Sequence, residues 1–373
     1  MIMFYPLSKE RDKKKARQIL DSVYYLSEDI EDVRLTEHGI EVAYQGEQVE
    51  EMNHQLTAFM KKSLQNRFAT KSVIRDNRDK RPESSHFSMA THTPSGGLHL
   101  THDLVLLEHA LDGIFRELAL KHGAKLRRYP SFFSRDQMAR SGYLEHFPQH
   151  VYGLSEIPHD EQKLADYRAL WLQTKEVQSA FESSDLYLQP CLCFHVYDEL
   201  ATVQQEEGLQ LFSAEGPCYR HEHRGRLSPS RLREFRMREI VYVGEGKPVA
   251  DMRDQLIEDA WSWFQELGLR GYVETATDPF YFHEDHALMF FQSSGALKYE
   301  LRFQLDDNTD FSIASFNLCG HVLCNSFGVQ SCYGEVHSGC TGFGIDRWLQ
   351  AIVAVHGNQR KQWPEALRLR CEA

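Results

Sequence analysis

A strand–loop–strand pattern at residues 216–244 constrains the fold more than any other part of the chain. Two β-rich arms, bounded by glycine and proline, flank a loop rich in arginine, which is typical of an antiparallel hairpin. Side chains alternate between the faces of a strand, so Arg220 and Glu222 share one face of the first arm. Phe235 and Glu239 share one face of the second arm. The hairpin therefore predicts one surface that carries a cation, two carboxylates and an aromatic ring.

This combination of side chains suits a nucleotide. The guanidinium fork of Arg220 is planar and always charged, which matches the geometry of a phosphate group. The ring of Phe235 offers a face on which a nucleobase can stack. A solvated hairpin held by ion pairs is the alternative, since runs of charged residues usually face water. The residues of the hairpin alone leave both interpretations open.

A glycine-rich turn at residues 337–344 leads into an apolar helix that carries Arg347 in its first turn. A lone Gly-x-Gly is a weak signal, but its position downstream of the Arg-x-Glu hairpin makes the pair more specific. Together they resemble motifs 2 and 3 of the class II aminoacyl-tRNA synthetases, in which two arginines grip a bent ATP. The resemblance implies an α+β fold, with an antiparallel β-sheet flanked by helices.

Composition limits the other classes of function. At 373 residues the chain can form one large domain and one small one. A net charge of -12 does not favour a broad electrostatic surface for tRNA. The eight cysteines have no regular spacing and the N-terminus does not read as a secretory leader, so we expect reduced thiols in a cytoplasmic protein. No apolar run approaches the roughly 20 residues that a membrane span needs.

The first 64 residues read as a small α-β-β-α unit. Apolar periodicity predicts helices at residues 8–26 and 47–64, and alternation predicts a hairpin at residues 32–44. The unit contains no catalytic constellation, so we expect a structural or partner-docking role. Residues 66–97 are polar, with proline and glycine, and are interpreted as a linker or a partly ordered connection.

We therefore expect two domains, a small N-terminal α/β unit with its linker at residues 1–92 and a catalytic domain at residues 93–373. The catalytic domain begins with a predicted helix at residues 103–123, followed by a short strand that ends at Pro130. This joint resembles motif 1 of the class II enzymes, which implies a homodimer formed through that region.

Further patches narrow the resemblance to one subfamily, the amino acid:carrier-protein ligases, which are truncated homologues of the zinc-dependent seryl-tRNA synthetases of methanogens. The patches lie at residues 140–149, 193–197, 235–239, 315–317 and 339–347. The resemblance extends from about residue 98 to the C-terminus. It implies that ATP activates a small amino acid (glycine, alanine or serine) as an aminoacyl-adenylate. The aminoacyl group would then pass to the phosphopantetheine thiol of an acyl or peptidyl carrier protein.

The resemblance also implies a zinc ion held by Cys193, Glu239 and Cys340, with an open position for the amino group of the substrate. Thiolates and carboxylates are suitable zinc ligands. The spacing alone does not indicate a metal site, because cysteine is often a small buried hydrophobe. Cys191 is a rival ligand, two residues from Cys193 and expected on the same face of a strand. The remaining nearby cysteines and histidines are interpreted as ordinary packing or polar residues: Cys319, Cys324, Cys332, His221, His223, His321 and His337.

By the same resemblance, individual side chains take roles around ATP. Arg220 would hold the α-phosphate, and Glu222 the adenine end. Phe235 would stack on adenine, with Arg347 on its other side and reaching the γ-phosphate. Arg231 would touch the outer phosphates, which Mg²⁺ would bridge.

Two residues are candidates for binding the amino acid, namely Glu300 and Asn317. The alternative for Glu300 is a strand carboxylate that faces solvent. The alternative for Asn317 is an ordinary buried asparagine with satisfied hydrogen bonds.

Two other functions remain open. A tRNA-charging enzyme of the seryl type would use the same first step, but the acidic charge and the small N-terminal unit make tRNA an unexpected acceptor. A catalytically silent synthetase-like regulator would be expected to lose its ATP-binding residues. Arg220, Glu222, Phe235 and Arg347 are all present in this chain, which argues against that interpretation.

Overall fold

The structure, a computed structural model, describes residues 1–66, 68, 70–79, 93–306 and 309–371. The strands in these residues are β1 (Ile2–Pro6), β2 (Ile30–Leu35), β3 (Gly39–Tyr44), β4 (Val73–Asp76), β5 (Lys125–Arg127), β6 (Phe132–Ser134), β7 (Gly153–Glu156), β8 (Glu182–Leu188), β9 (Gln210–Tyr219), β10 (Glu234–Gly244), β11 (Gly271–Thr275), β12 (Lys298–Gln304), β13 (Asp310–Gly320) and β14 (His337–Gly344). The α-helices are α1 (Glu10–Ile19), α2 (Val49–Ser63), α3 (His102–Lys121), α4 (Arg135–Arg140), α5 (Tyr143–His146), α6 (Glu161–Thr174), α7 (Cys193–Leu200), α8 (Gly246–Glu266), α9 (His286–Ser294), α10 (Val322–Phe327), α11 (Ile345–His356) and α12 (Glu365–Arg370). None of the helices in the described part of the chain combines the length and the apolar character that a membrane span needs.

The large sheet forms the centre of the molecule. Within the described residues it has eight strands in the order β4-β11-β12-β13-β14-β10-β9-β5. Neighbouring strands are antiparallel except β5, which runs parallel to β9. Helices α3, α8 and α11 cover one face, where Phe115, Phe264 and Trp348 are fully buried in a common core. The predicted α+β class, an antiparallel sheet flanked by helices, is confirmed.

The hairpin predicted at residues 216–244 is formed by β9 and β10. Their register pairs Phe235 with Cys218 and Glu239 with Ala214. Arg220 and Glu222 lie beyond the end of β9, and not within the first arm as predicted. The backbone leaves the ladder because the N–H of His221 donates to the carbonyl oxygen of His150 instead of to β10. The loop is thereby attached to a neighbouring part of the domain.

Glycines on β14 allow the sheet to pack closely beside the hairpin. A Cβ atom on Gly339 would lie 2.3 Å from Cε2 of Tyr242 and 2.5 Å from the carbonyl oxygen of Asn317. A Cβ atom on Gly342 would lie 2.7 Å from Cε of Met237. The distances at Gly339 are too short for any side chain, because one of them is to a backbone atom. At Gly342 the end of the Met237 side chain could move, so glycine at position 339 is what keeps β14 in contact with β10 and β13.

The N-terminal unit contains the predicted helices and hairpin. Helix α1 continues into a 3₁₀ segment (Leu20–Leu26), and β2 and β3 form the expected antiparallel pair. In the described residues a third strand, β1, pairs with β3 and completes a small sheet in the order β1-β3-β2. The sequence analysis missed β1 because its five residues end in proline and are too few to show a period.

The prediction of a linker at residues 66–97 is wrong for β4. Val73–Asp76 pairs antiparallel with β11 at the edge of the large sheet. An edge strand is half exposed and tolerates charge, so its sequence resembles that of a linker. Residues 80–92 of the expected linker lie outside the described residues. The boundary between residues 92 and 93 remains a prediction.

We predict that Asp112→Ala lowers the free energy of unfolding by about 3 kcal/mol, because it leaves a buried guanidinium without its partner. Asp112 on α3 accepts two hydrogen bonds from Arg238 on β10, at 2.6 and 2.9 Å. Arg238 is only 6% exposed. Urea unfolding followed by circular dichroism measures the change.

The matched control is Asp251→Ala, which removes the carboxylate of an exposed pair with Lys247 on α8. That change should cost less than about 0.5 kcal/mol. Equal losses in the two variants would contradict the assignment of Arg238 and Asp112 as a buried link between helix and sheet.

Candidate functional site

The loop between β9 and β10 holds a buried carboxylate surrounded by arginines. Glu222 is 4% exposed, and its Oε2 accepts a hydrogen bond from Nη1 of Arg231 at 3.1 Å. Burial by itself would raise the pKa of Glu222, but the positive charge of Arg231, with help from Arg226, lowers that pKa to about 2. Glu222 is therefore an anion at neutral pH and a strong hydrogen-bond acceptor.

Arg220 lies beside this carboxylate and against an aromatic ring. Its Nε donates to the carbonyl oxygen of Pro190 at 3.2 Å, and its Cζ lies 5.1 Å from the ring centroid of Phe235. The cation–π contact and the backbone hydrogen bond fix the guanidinium in the region that Glu222 also faces. The structure thus brings Arg220, Glu222 and Phe235 into one region, although Arg220 and Glu222 lie beyond the end of β9 and not on a shared strand face.

Arg347 joins the same region from α11. Its Nε donates to the carbonyl oxygen of Ser230 at 2.7 Å, and its Nη1 donates to that of Ser312 at 3.0 Å. Burial, followed by the positive charges of Arg231 and Arg220, lowers the pKa of Arg347 to about 10. Two arginines of the loop, Arg220 and Arg231, therefore lie close enough to Arg347 for their positive charges to disfavour its charged form. An anion between them would relieve that repulsion.

A short hydrogen bond fixes the position of α11 relative to the hairpin. The buried carboxylate of Asp346 accepts from the backbone N–H of Arg236 on β10, at 2.6 Å. Asp346 directly precedes Arg347 in the first turn of α11. The bond therefore fixes the distance between the second arm of the hairpin and the helix that carries Arg347.

A cluster of thiols and one carboxylate lies on the neighbouring part of the sheet. Sγ of Cys193 lies 3.5 Å from Sγ of Cys191, and the N–H of Cys193 donates to Oε2 of Glu239 at 2.7 Å. Cys193 also hydrogen-bonds the thiol of Cys340, which in turn contacts Cys319. The structure brings Cys193, Glu239 and Cys340 together, and it adds Cys191 and Cys319.

The prediction that Cys193 lies on a strand is wrong. It is the first residue of α7, and Glu239 on β10 accepts the N–H at the start of that helix. Cys191 precedes the helix, so the expected shared strand face does not exist. The thiols of Cys191 and Cys193 meet because the turn after Pro190 folds them toward Glu239.

The donors of this cluster fit a zinc ion. Among the described residues, the ligand atoms of Cys191, Cys193 and Glu239 all lie within 4.8 Å of one another. Burial and the nearby thiol of Cys340 raise the pKa of Glu239 to about 7. Hydrogen bonds from the thiols of Cys193 and Cys319 lower the pKa of Cys340. A buried carboxylate beside a thiol that favours its anion is an environment that a divalent cation would stabilise.

The predicted amino-acid-binding residues lie on two neighbouring strands. Asn317 on β13 donates to the carbonyl oxygen of Cys340 at 3.3 Å and lies 3.6 Å from its Sγ. Glu300 on β12 accepts from Nη1 of Arg302 at 3.0 Å, with Nζ of Lys298 at 3.7 Å. Burial would raise the pKa of Glu300, but Lys298 and Arg302 lower it. Asn317 thus contacts the thiol cluster, and Glu300 belongs to a network of charged residues.

The sequence analysis missed several members of this region. Lys298, 8% exposed, pairs with Asp278 at 2.5 Å, and Asp278 also binds Gln292. Tyr143 lies within electrostatic range of Arg220 and Asp278. The patch at residues 140–149, already noted for its resemblance, could have indicated Tyr143. No sequence signal marked Asp278 or Lys298.

The N-terminal unit contacts the arginine-rich loop directly. Asp21, in the 3₁₀ segment after α1, pairs with Arg226 and lies 3.4 Å from Nη2 of Arg231. The hydroxyl of Tyr25 accepts from Arg226 at 2.8 Å. The unit therefore covers one end of the candidate nucleotide-binding site, although it supplies none of the predicted ATP-binding residues.

Comparison with protein families finds one matching family model. Residues 175–356 match the tRNA synthetase class II core domain (G, H, P, S and T). An amino acid–[acyl-carrier-protein] ligase 1 of Bradyrhizobium diazoefficiens is 30% identical over 250 residues, which cover 66% of this chain and 76% of that protein. A type-2 serine–tRNA ligase of Methanococcus maripaludis is 26% identical over 256 residues, 64% of this chain and 49% of that protein.

Solved structures show the same fold. The seryl-tRNA synthetase of M. kandleri, in complex with A. aeolicus tRNASec, matches with a TM-score of 0.73 at 19% sequence identity. The match covers 100% of this chain and 77% of that one. The seryl-tRNA synthetase of Pyrococcus horikoshii complexed with ATP matches with a TM-score of 0.56 at 16% identity, over 75% of this chain and 58% of that one. The first match extends over the N-terminal unit, so the expectation that tRNA is not the acceptor gains no support from it.

We predict that stability falls in mild acid partly because His195 on α7 is buried as a neutral ring. His195 stacks on Phe133, with ring centroids 4.0 Å apart, and burial lowers the pKa of His195 to about 4. The folded pKa lies below the usual value of 6.5. The stabilising effect is therefore complete above pH 6.5 and is lost as the pH falls through 4.

His195→Phe should remove part of the loss in unfolding free energy between pH 7 and pH 4.5. The rest remains because burial also lowers the pKa values of other histidines, namely His150, His223, His286 and His356. Urea unfolding at both pH values measures it, with exposed His38→Gln as the control. An unchanged pH dependence in His195→Phe would show that another group causes the loss.

Proposed function

Since the chain belongs to the class II aminoacyl-tRNA synthetase superfamily, in the branch shared by amino acid–[acyl-carrier-protein] ligases and type-2 serine–tRNA ligases, we propose that it is a ligase that activates a small amino acid with ATP. We further propose that it transfers the aminoacyl group to the phosphopantetheine thiol of a carrier protein. The observation that carries the proposal is the convergence of Arg220, Arg231 and Arg347 beside Glu222 and Phe235.

In the first step a carboxylate oxygen of the amino acid attacks the α-phosphorus of ATP, and pyrophosphate leaves. The chain contributes mainly position and charge to such a step. Arg220 holds the α-phosphate, and Arg347 stabilises the charge on the γ-phosphate. Arg231 reaches the outer phosphates, whose negative charge bound Mg²⁺ would help to neutralise. In the free protein the positive charges of Arg220 and Arg231 disfavour the charged form of Arg347, and a bound polyanion would remove that penalty.

The base of ATP lies against Phe235, whose ring already accepts a cation on one face. Glu222 accepts hydrogen bonds from the adenine end. The carboxylate is suited to that role because its low pKa keeps it ionised, and Arg231 fixes its orientation. Adenine carries an exocyclic amine that can donate to such an acceptor.

The amino acid binds beside the thiol cluster. Cys193, Glu239 and Cys340 would hold a zinc ion. Cys191, the rival to Cys193 in the sequence analysis, also competes with Cys340, because the ligand atoms of Cys191, Cys193 and Glu239 lie within 4.8 Å of one another. Zinc supplies a Lewis-acidic position that binds a neutral amine and not an ammonium ion. Asn317, which contacts Cys340, would form a hydrogen bond with the substrate. Glu300 contributes a negative charge to the pocket. The expected substrate is glycine, alanine or serine.

In the second step a thiol sulfur attacks the acyl carbon of the adenylate, a thioester forms and AMP leaves. The carrier ligase of B. diazoefficiens, at 30% identity, supports a carrier-protein acceptor. The net charge of -12 supports it too, because a polyanionic tRNA needs extensive basic surface. Every cysteine lies in the described residues as a free thiol, which suits a cytoplasmic protein. A homodimer through the region of β5 remains part of the proposal.

A tRNA acceptor is the second candidate function. The M. kandleri synthetase in complex with tRNASec matches over the whole chain, including the N-terminal unit. In that case the acceptor would be a ribose hydroxyl and the product an ester. The two candidates share the first step and differ in the second.

The deciding experiment measures pyrophosphate exchange with each of the twenty amino acids, followed by transfer to holo-carrier proteins and to tRNA. We expect exchange with one small amino acid and a hydroxylamine-sensitive thioester on the carrier. Aminoacyl ester on tRNA without thioester would establish the second candidate. No exchange with any amino acid would refute both.

We predict that Arg220→Ala lowers the rate of pyrophosphate exchange by about 10²–10³-fold, because it removes a fixed cation from the developing charge at phosphorus. Arg220→Lys should also lose most of the activity, since an ammonium lacks the planar fork. Arg135→Ala, which removes an exposed arginine paired with Asp185, should stay within about twofold. If Arg220→Ala retains full exchange activity, the arginine group is not the nucleotide site.

We predict that Cys193→Ser and Cys340→Ser each lose about one zinc ion per chain, measured by elemental mass spectrometry after purification in zinc. Cys332→Ser, a change at an exposed cysteine, should keep the wild-type content. Cys191→Ser decides between the rival ligands and should keep its zinc. Loss of zinc from Cys191→Ser but not from Cys340→Ser would reassign the third ligand to Cys191.

A further inference from the structure

A second group of metal-ligand side chains lies at the end of the β13–β14 pair. It consists of His321, which follows β13, Glu335 in the turn before β14, and His337, the first residue of β14. Nδ1 of His321 lies 3.3 Å from Oε1 of Glu335, and Nε2 of His337 lies 3.2 Å from Oε2. One ligand atom from each of the three residues lies within 4.8 Å of the other two.

These distances match the geometry of a coordinated ion. In a tetrahedral zinc site with bonds of about 2.0–2.1 Å, neighbouring ligand atoms lie about 3.3 Å apart. The contacts are longer than the usual nitrogen–oxygen hydrogen bond of about 2.9 Å. The two imidazole rings are nearly perpendicular, at 87°, with centroids 6.0 Å apart, so they do not stack. An ion between the three side chains would therefore need only small adjustments.

The ring of one ligand is already closely packed. An added Cβ atom on Gly246, at the start of α8, would lie 3.3 Å from Nδ1 of His337, so the glycine leaves room for this ring. The other ring nitrogen, Nε2, lies 3.2 Å from Oε2 of Glu335.

The group is separate from the thiol cluster. His337 and Cys340 are three residues apart on β14, so they project from opposite faces of the sheet, about 10 Å apart along the strand. The donors also differ, since two imidazoles and one carboxylate favour zinc, cobalt or nickel over calcium or magnesium. The three side chains are partly exposed, at 48%, 53% and 32%, which leaves room for water as further ligands.

We propose that His321, Glu335 and His337 form a second transition-metal site, which binds Zn²⁺ or a similar borderline divalent ion. The ion joins the end of β13 to the start of β14 and closes the intervening segment, residues 322–334, which includes α10. It thereby stabilises the two strands that carry Asn317 and Cys340. The role is structural and does not depend on the proposed ligase reaction.

The test uses the full chain, freed of metal with a chelator and titrated with Co²⁺ and Zn²⁺. Cobalt bound by cysteine gives an intense thiolate charge-transfer band, whereas cobalt bound by histidine and carboxylate gives only weak visible absorption. We expect wild type to bind two ions, and His321→Gln/His337→Gln to bind one fewer without losing the thiolate band. The single change His54→Gln, at an exposed histidine on α2, should leave both ions in place.

Hydrogen exchange gives an independent measurement. Metal should slow amide exchange in residues 322–336 of wild type and have no such effect in the double variant. The same circular dichroism spectrum in both proteins establishes that the variant is folded. A wild type that binds only the ion with the thiolate band, or a double variant that binds two ions with wild-type affinity, would overturn the proposal.

Discussion

The pairing of β10 with β14 is the contact on which the candidate site depends. It places Glu239 opposite Gly342 and Val241 opposite Cys340, although about a hundred residues separate the two strands in sequence. The close pairing needs glycine at position 339, where a Cβ atom would lie 2.5 Å from the carbonyl oxygen of Asn317. Asp346 then bonds the backbone of Arg236, so the helix that follows β14 is fixed to the hairpin as well. One strand pair thus sets the positions of both the thiol cluster and the arginines.

A second constraint is the balance of charge around the arginine-rich loop. Arg231 is held by Glu222 within the domain and lies near Asp21 of the N-terminal unit. A triphosphate that engages Arg231 would compete with these carboxylates, each of which already satisfies part of its charge. The contact gives the N-terminal unit a physical connection to nucleotide binding, even though its own residues include no catalytic group. The N-terminal unit therefore contacts residues of the candidate nucleotide-binding site.

The sequence predicted those parts of the structure that depend on local periodicity. The hairpin, α2 and α3 follow from alternating or helical apolar patterns. The turn predicted at residues 337–344 is wrong, because those residues form strand β14, and only the helix that follows them with Arg347 agrees with the prediction. Local patterns could not reveal β4, whose four residues gain their structure only by pairing with β11. They also gave the wrong element for Cys193, because the start of α7 depends on a carboxylate 46 residues away. Long-range hydrogen bonds decide both cases.

The membership of the thiol cluster also could not be predicted from local sequence patterns. Family resemblance selected Cys193, Glu239 and Cys340, whereas the folded chain also brings the thiols of Cys191 and Cys319 to the same place. Four thiols beside one carboxylate are more donors than one tetrahedral ion with an open position can use. Cys340 accepts hydrogen bonds from the thiols of Cys193 and Cys319, which lower its pKa. Cys193 donates one of these bonds, so it would have to lose that proton to bind the same ion as Cys340.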